Sequence, residues 1–486
     1  MEDDVQRTTL ILAALIVFPC FAHGQLAEEA TTFIPPLLNP PGTGPALNPR
    51  VNQDDIPGMT LTEIRRAGRR LFSTPFNLFD GMGDGPENPL DPSALGGRPT
   101  VGNNGLFMRV HGLDSQTCLE CHSVLSNRDI PATFAVGGVG GIAANAFAGP
   151  TEFDVDDSEG NGFAFYNGRL INPPFVWGSG GVELVGKEMT MDLQSLKQSA
   201  MDNPNTRIPL ITKGVNFGSI SHDGVDFNTS NVEGVAADLV VRPFGRKGDN
   251  SSIRKFDTGA LAFHHGMQPE EITDDLDSDG VPDDGVDMDP DGDGVFNEIL
   301  PGELSAMHVW QVHTRRPRQA PGNSPQIRRG WQNFSDVGCA VCHVPELETD
   351  TKFLPIAFPE VETDPMANVF LLANMQGGSA GFRANGQGGI RVPLFSDLKI
   401  HDVGTSDPTS APNAGDFITP RLWGIADTAP YMHDGSVLTL TDAIAAHGGE
   451  AAVSAAAFGA LPGPDQNDLL AFLDTLRVPR NPDSDL

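Results

Sequence analysis

The pentapeptide pattern C-x-x-C-H occurs twice in this chain, at residues 118–122 (CLECH) and 339–343 (CAVCH). Two thiols with this spacing can add to the two vinyl groups of one porphyrin, and the adjacent histidine is then held beneath the iron. The fifth cysteine, Cys20, lies in an apolar N-terminal run, so no cysteines remain for a disulfide framework. We therefore predict two covalently attached c-type haems, held by Cys118, Cys121, His122, Cys339, Cys342 and His343.

Two other kinds of site also use paired cysteines. Four thiolates can bind a structural zinc ion, and a C-x-x-C pair also occurs in thioredoxin-like redox proteins. Zinc needs no histidine directly after each pair, whereas both pairs here have one. A thioredoxin pair follows a strand, whereas helix-like segments precede both pairs here. These differences favour haem over the two alternatives.

Composition narrows the class of protein. The chain has 486 residues, with 31 Lys+Arg and 64 Asp+Glu, and its formal net charge is −33. Because binding to phosphates needs lysine and arginine, this balance argues against a nucleic-acid partner and favours a basic partner protein or bound cations. The hydrophobic share of 39% indicates a globular chain, and the length suggests two or three domains. The 55 glycines and 40 prolines predict long loops.

An apolar run at residues 10–22 indicates export from the cytoplasm. Thirteen residues are too few to span a bilayer but suit the hydrophobic region of a secretory signal. We predict a signal peptide at residues 1–24 and a periplasmic or secreted mature protein without membrane insertion. A buried N-terminal helix is the alternative, because Glu2, Asp3 and Asp4 make the flank acidic where a signal prefers positive charge.

The spacing of helix signals predicts a repeated plan. Thr60 and Glu63 have capping-box spacing and predict a helix over residues 60–72, ahead of the first motif, and residues 327–334 repeat this arrangement ahead of the second. The prediction is a mainly α chain of two cytochrome-c-like haem domains, with long Gly/Pro-rich loops and a calcium-loop-like acidic insertion. Its predicted parts are the signal peptide (1–24), an extended arm (25–58), the first haem domain with insertions (59–270), the acidic insertion (271–300) and the second haem domain (301–486).

The acidic insertion has the ligand spacing of a calcium loop. Two triplets, at residues 275–279 and 289–293, each place carboxylates at positions 1, 3 and 5, with glycine at position 6. The bidentate glutamate of an EF-hand is absent at position 12, so a tandem loop similar to thrombospondin-type repeats fits better. A solvated acidic loop is the alternative. The predicted calcium ligands are Asp275, Asp277, Asp279, Asp283, Asp289, Asp291, Asp293 and Asn297.

The C-terminal part of the chain resembles a known family. The stretches 419–424 (TPRLWG), 429–436 (APYMHDGS) and 446–450 (AHGGE) are similar to the bacterial di-haem cytochrome c peroxidase superfamily, and most closely to its branch of thiol-oxidoreductase-like di-haem oxidoreductases. The resemblance spans residues 60–477 apart from the acidic insertion, and it is strongest after residue 325. It implies a periplasmic oxidoreductase in which the second haem passes electrons to a peroxidatic first haem, which reduces hydrogen peroxide or forms a high-valent oxidant.

The resemblance also implies roles for single residues. His447 stands where peroxidase relatives have a methionine iron ligand, so we expect it to join His343 in bis-histidine coordination of the second haem. A helix-end surface histidine is the alternative. Glu183 is the candidate general acid/base and Trp177 the candidate electron relay, with a surface or helix-cap glutamate and a core tryptophan as alternatives. Candidate distal ligands of the first haem are His111, His264, His265 and Met267.

Two other functions compete with a peroxidase. The leading interpretation takes hydrogen peroxide as the substrate and a small basic cytochrome c or similar protein as the electron donor. A non-catalytic di-haem electron-transfer cytochrome, with six ligands at both irons, is the first alternative. A high-valent oxidase that acts on a partner protein is the second.

Overall fold

The computed structural model describes residues 44–83, 108–109, 112–113, 117–120, 122, 176–273, 289, 292–320, 322, 324–405, 415–433 and 435–479. The predicted signal peptide, Cys121 and the first acidic triplet therefore lie outside the described residues, as do His111, Asp283 and Asp291. Within the described ranges, no helix is long and apolar enough to cross a membrane.

Helix is the commoner regular structure, with about 38% of the described residues in helices and about 17% in strands. The share of strand is larger than a mainly α chain implies, because short hairpins are inserted between the helices. The α-helices are α1 (Leu61–Ser73), α2 (Ser179–Asp202), α3 (Ile253–Ala260), α4 (Glu270–Thr273), α5 (Pro301–Val312), α6 (Pro325–Asp336), α7 (Leu440–Ala445), α8 (Ala452–Ala460) and α9 (Gly463–Leu473). Short 3-10 helices lie at Gln53–Gly58, Cys118–Glu120, Cys339–Val341, Ile425–Asp427 and Gly449–Ala451, and a π-helical turn lies at Leu261–His265.

The named strands pair in antiparallel fashion, both within hairpins and between segments far apart in the sequence. One sheet has the order β3 (Ile208–Thr212), β4 (Val215–His222), β5 (Phe227–Val232), and another has the order β10 (Arg383–Ala384), β11 (Ile390–Val392), β7 (Leu347–Glu348). The two-stranded pairs are β1 (Met108–Arg109) with β2 (Gly112–Leu113), β6 (Arg318–Gln319) with β14 (Leu476–Arg477), β8 (Phe353–Ala357) with β9 (Val369–Asn374), and β12 (Ile400–Asp402) with β13 (Asp416–Ile418).

The helix before the first attachment motif begins at the predicted capping box. The Glu63 backbone amide donates to Thr60 Oγ1 at 3.3 Å, and the Thr60 backbone amide donates to Glu63 Oε2 at 2.8 Å. This helix, α1, crosses α5 at a glycine, since a Cβ on Gly68 would lie 2.0 Å from the Ala306 carbonyl oxygen. Helix α5, predicted to open the second domain, therefore packs on the first helix of the first unit.

The same arrangement recurs at the second motif. Ser324 Oγ accepts the Ile327 backbone amide at 3.2 Å and caps α6. Helix α6 crosses α9 at Gly330, where a Cβ would lie 1.9 Å from the Asp468 carbonyl oxygen. Each motif thus follows a helix that crosses a later helix at a glycine. We propose that the second unit begins after α5 rather than at residue 301.

A single hydrophobic core surrounds α2 and draws on both units. Glycines on α2 let its neighbours approach closely: a Cβ would lie 2.4 Å from the Val312 carbonyl oxygen at Gly180, and 2.3 Å from Phe382 Cζ at Gly181. Residues of α1, α5, β8 and β11 belong to this core. The two units are therefore joined by shared apolar packing and not only by a linker.

Candidate haem sites

The second attachment motif lies where α6 ends against a cluster of aromatic rings. Gly338, with φ of +90°, turns the chain into the short helix Cys339–Val341, and this left-handed conformation favours glycine. The Phe334 and Phe472 rings lie 5.5 Å apart between centroids, and the Phe395 ring lies 6.3 Å from that of Phe334. The first cysteine of the motif packs against this cluster. The motif is therefore at the edge of an apolar pocket.

His343 and His447 face each other at this second site. Their ring centroids are 6.4 Å apart, and the ring planes are inclined by 69°. Nδ1 of His343 lies 3.1 Å from the Phe395 carbonyl oxygen, and Nδ1 of His447 lies 2.8 Å from the Ala443 carbonyl oxygen. Because a carbonyl only accepts, both Nδ1 atoms carry the proton. Nε2 of each ring is then the lone-pair atom, as in metal-bound histidine.

This donor set fits one haem iron. An imidazole nitrogen binds a transition metal at about 2 Å, and the ring centre lies about 1 Å farther, so two rings on opposite sides of one ion are about 6 Å apart. Burial and the neighbouring His447 lower the pKa of His343 to about 4. The His343 ring is therefore neutral at physiological pH, which is the form that binds metal. The observed 6.4 Å between ring centroids is close to this value, and bis-histidine coordination stays a prediction.

The position of His447 depends on both ends of a short helix. Thr439 Oγ1 accepts the Asp442 backbone amide at 3.1 Å and starts α7, where the sequence predicts a helix. After His447, the Gly448 amide donates to the Val403 carbonyl oxygen at 2.7 Å. A Cβ on Gly404 would lie 2.5 Å from the Gly449 backbone nitrogen, so only glycine permits this close approach. The end of the helix is thereby fixed against β12.

Cys342 contacts a polar network that the sequence does not predict. His401 Nε2 lies 2.9 Å from Asp397 Oδ2, and its Nδ1 lies 2.8 Å from Glu450 Oε2. The Asp397 backbone amide donates to the Cys342 carbonyl oxygen at 2.9 Å. Hydrogen bonds to Asp397 and Cys342 raise the pKa of His401 to about 11, so this ring is cationic. The sequence signal that could have revealed this network is the four-residue spacing between Asp397 and His401.

The first attachment motif lies beside a packed apolar cluster formed largely by α1 and α5. The His122 backbone amide donates to the Cys118 carbonyl oxygen at 2.8 Å. The Phe72 ring centroid lies 6.2 Å from that of His122 and 4.9 Å from that of Trp310. We call this packed cluster the first-site pocket; its buried residues are Leu47, Leu71, Phe72, Phe76, Met82, Leu261, Met267, Ile299, Leu304, Met307 and Trp310.

Three predicted distal ligands lie in or next to the π-helical turn Leu261–His265. Such turns are rare and often occur at functional sites. His265 Nε2 lies 3.5 Å from Cys118 Sγ, and Met267 is fully buried in the first-site pocket. His264 is only half-buried. His265 and Met267 are thus the two candidates close to the first motif.

A buried amide borders the same pocket. Gln268 is 5% exposed, and neither polar atom of its side chain has a hydrogen-bond partner in the described part of the chain. It directly follows Met267, and its backbone amide donates to Glu298 Oε2 at 2.7 Å. Leaving a buried polar group unpaired costs about 1–3 kcal/mol, so this position favours a polar ligand. An aromatic pocket with a polar border fits a porphyrin, which has an apolar ring and ionic propionates.

Trp177, the candidate electron relay, is a core residue. It is 1% exposed and packs against Val478. The neighbouring Val176 contacts both this pair and the first-site pocket. Val478 follows β14, whose Leu476 belongs to the aromatic cluster of the second site. The burial of Trp177 agrees with the alternative of a core tryptophan, and its role as an electron relay stays a prediction.

Glu183 is fully buried in a network of hydrogen bonds. Its carboxylate lies 2.8 Å from Lys187 Nζ and 2.9 Å from His308 Nε2, and it accepts the Ile253 amide at the start of α3 at 3.1 Å. Burial raises the pKa of Glu183, but the neighbouring His308 and Lys187 outweigh burial and lower it to about 2. A surface position is therefore excluded, and Glu183 is an anion at neutral pH.

The described part of the acidic insertion includes the predicted calcium ligands Asp289, Asp293 and Asn297. The Asp289 carboxylate accepts two backbone amides, from Asp293 and Gly294, each at 3.0 Å. Burial and the neighbouring Asp289 raise the pKa of Asp293. The loop leads directly to Ile299 in the first-site pocket. Calcium binding stays a prediction.

Comparison with known proteins gives a family match over the second unit. Residues 309–476 match the family described as "Di-haem oxidoreductase, putative peroxidase". Over these residues the chain is similar to the di-haem oxidoreductases. The matched range contains Cys339, Cys342, His343 and His447, and it confirms the resemblance found in the sequence.

A cytochrome-c peroxidase from Denitromonas iodatirespirans also matches, with 30% identity over 166 residues. This match covers 32% of the chain and 41% of the relative, so the chain spans less than half of that protein's length. Both sequence matches are thus to oxidoreductases of the cytochrome-c-peroxidase kind.

Three solved structures also show limited similarity to this chain. The diheme peroxidase BthA from Burkholderia thailandensis has 15% identity and a TM-score of 0.27, over 49% of the chain and 66% of that protein. A MauG-like protein associated with microbial copper homeostasis has 20% identity and a TM-score of 0.21, over 36% and 56%. The hydrazine synthase of Kuenenia stuttgartiensis has 21% identity and a TM-score of 0.22, over 37% and 56%.

Proposed function

We propose that this chain is an exported di-haem c-type oxidoreductase that reduces hydrogen peroxide. The observation that carries the proposal is the difference between the two sites. At the second site the His343 and His447 ring centroids are 6.4 Å apart, and these two histidines would close a haem iron held there to substrate. At the first site His122 lies beside a pocket bordered by the unpaired amide of Gln268. A second iron held by two histidines would suit electron transfer, and a first iron held by His122 alone would suit peroxide reduction.

Each site would hold one haem. When bound, the haems would supply the one-electron chemistry and the reaction with peroxide. The chain's own residues orient the two imidazoles of the second site through Nδ1 hydrogen bonds and exclude water by apolar packing. The residues that would hold the haems are Cys118, Cys121 and His122 at the first site, and Cys339, Cys342, His343 and His447 at the second.

The proposed reaction is H2O2 + 2 H+ + 2 e− → 2 H2O. The electrons come from a small reduced carrier protein, and the net charge of −33 favours a basic carrier. The second site is the proposed acceptor of these electrons because its iron is closed to substrate. A periplasmic location follows from the predicted signal peptide, since c-type haem is attached outside the cytoplasm.

A non-catalytic electron-transfer cytochrome is the second candidate, and one observation favours it. His265 Nε2 lies 3.5 Å from Cys118 Sγ, and Met267 is fully buried in the same pocket. Either side chain would give the first iron a sixth protein ligand. Both irons would then be closed to peroxide, and the chain would only carry electrons.

Electron paramagnetic resonance of the oxidised protein separates the two candidates. The protein is produced in a host with c-type haem maturation. We expect one low-spin and one high-spin signal for the peroxidase, and two low-spin signals for the carrier. Stopped-flow mixing of the half-reduced protein with peroxide should then give a fast spectral change. Two low-spin signals without such a change would refute the peroxidase.

We further propose that the loop at residues 274–298 binds calcium as a structural ion. Chelation is expected to lower the melting temperature, and added calcium should restore it, because an ion that binds only the folded state stabilises it. Asp289→Asn should abolish this calcium-dependent shift, whereas Asp364→Asn, in an exposed turn, should leave it unchanged. A melting temperature that chelation does not move would contradict the proposal.

A further inference from the structure

A buried carboxylate–imidazole pair joins α2 to α5. Glu183 and His308 are both 0% exposed, and His308 Nε2 lies 3.0 and 2.9 Å from the two oxygens of Glu183. Because an ionised carboxylate only accepts, Nε2 of His308 carries the proton, and Glu183 fixes this tautomer. In neutral His308, Nδ1 then has the lone pair, and this atom has no hydrogen-bond partner within the described ranges.

The pair adjoins the first-site pocket. Leu304, Met307 and Trp310 of α5 belong to that pocket, and Leu304 lies one helical turn before His308. Helix α3 packs against α5, and its Asp257 lies one turn before Leu261, which also belongs to the pocket. His308 is thus beside the side chains that enclose the first site.

The charged and titratable groups around His308 come from three elements. Helix α2 contributes Glu183 and Lys187, α3 contributes Asp257, and the segment after β8 contributes Glu360. Gln311 Nε2, on α5, donates to Asp257 Oδ2 at 2.6 Å. Burial raises the pKa of Asp257 well above its usual range. The surroundings of His308 therefore include the buried carboxyl group of Asp257 as well as the carboxylate of Glu183.

Lys187 connects the pair to the protein surface. Its Nζ lies 2.8 Å from Glu183 Oε1, 3.2 Å from Glu360 Oε1 and 2.9 Å from the Pro355 carbonyl oxygen. Glu360 accepts a hydrogen bond from Ser252 Oγ. It also borders a small surface cavity. A continuous line of hydrogen-bonding side chains therefore leads from this cavity to His308.

We propose that His308 is the proton-transfer residue of the first site and that Glu183 is its positioning residue. This inference rests on the proposed peroxide reduction. His308 Nδ1 takes the proton from one oxygen of H2O2 and gives it to the other oxygen, which leaves as water when the O–O bond breaks. The remaining oxygen takes up two protons from the surface cavity and two electrons from the reduced carrier protein, and becomes the second water.

Cyanide binding to the oxidised holoprotein tests this role without turnover. Hydrogen cyanide must lose its proton before it binds ferric haem as the anion, so a nearby base speeds binding. His308→Gln is expected to slow cyanide association at least about tenfold and to lower kcat/KM for peroxide about 100-fold, because general acid–base catalysis contributes about 10²–10⁴. Glu183→Gln should shift the pH at which cyanide association is half-maximal. The glutamine amide does not stabilise the His308 imidazole as the Glu183 carboxylate does.

Two matched variants control for structural effects. Glu188→Gln also removes a buried carboxylate from α2, where Glu188 lies 2.7 Å from Lys213 Nζ, and His222→Gln removes a buried histidine from β4. Both controls should keep the cyanide association rate and its pH profile within about twofold of the unmodified protein. If His308→Gln fails to fold, Glu183→Gln provides the test, because it keeps the imidazole.

The outcomes separate this inference from the proposed function. Unchanged cyanide association and unchanged peroxide reduction in both His308→Gln and Glu183→Gln would overturn the inference while peroxide reduction itself stands. If the unmodified protein does not reduce peroxide but His308→Gln slows cyanide association, the proposed function fails and the proton-transfer role of His308 at the first haem is supported.

Discussion

Replacing His447 with alanine is expected to convert the second haem from low spin to high spin. Alanine removes the ring that faces His343 at 6.4 Å between centroids, and the iron is left with one protein ligand on its axis. In electron paramagnetic resonance of the oxidised protein, the low-spin signal of the second haem should be lost completely and replaced by a high-spin signal. The signal of the first haem should not change.

His447→Met is the informative companion variant. Methionine still supplies an axial ligand, and histidine/methionine ligation raises the reduction potential of a c-type haem. This variant should therefore keep a low-spin spectrum and show a higher midpoint potential in a spectroelectrochemical titration. His222→Ala, which removes a histidine of the β4 hairpin, should change neither property. A low-spin second haem that persists in His447→Ala would show that another residue binds the iron.

Gly330→Ala is expected to destabilise the second unit severely. The added Cβ would lie 1.9 Å from the Asp468 carbonyl oxygen and 2.6 Å from its carbon, and backbone atoms cannot rotate away as a side chain can. Helices α6 and α9 must then separate, which opens the aromatic cluster beside the second motif. Overpacking a core costs about 1–3 kcal/mol, and a collision with backbone should reach the top of that range or exceed it. Denaturant unfolding should report this loss, and a pyridine haemochrome assay should show less than two haems per chain.

The control is a glycine with space around it. Gly459 lies in α8, and a Cβ there would meet nothing within 4 Å. Gly459→Ala should therefore stabilise the protein slightly, by about 0.5–1 kcal/mol, because alanine loses less conformational freedom in a helix. Equal stability of the two alanine variants would contradict the close crossing of α6 and α9.

The features that the sequence predicts correctly depend on nearby residues. The capping box of Thr60 and Glu63 needs only a spacing of three, and it is present as predicted. The short helix before His447 follows from Thr439 and the glycines after it. The family resemblance, confirmed over residues 309–476, also depends on contiguous motifs.

The features that the sequence does not predict depend on distant residues. Glu183 was recognised as a candidate acid or base, but its partner His308 lies 125 residues later, and no local pattern pairs them. Helix α5 packs on α1 across the intervening residues 74–300, so its membership in the first unit is not visible in its own sequence. The hairpins from β3 to β5 and from β8 to β9 are short insertions whose burial depends on α2.

The long separation of α1 and α5 has a consequence for biogenesis. The floor of the pocket beside Cys118 is completed only when Pro301–Val312 has been synthesised and has docked. Contacts between remote segments form slowly, because the chain between them must first lose its freedom. While residues 123–300 are being synthesised this cluster is incomplete, so we expect the proposed haem attachment at Cys118 to precede the docking of Pro301–Val312.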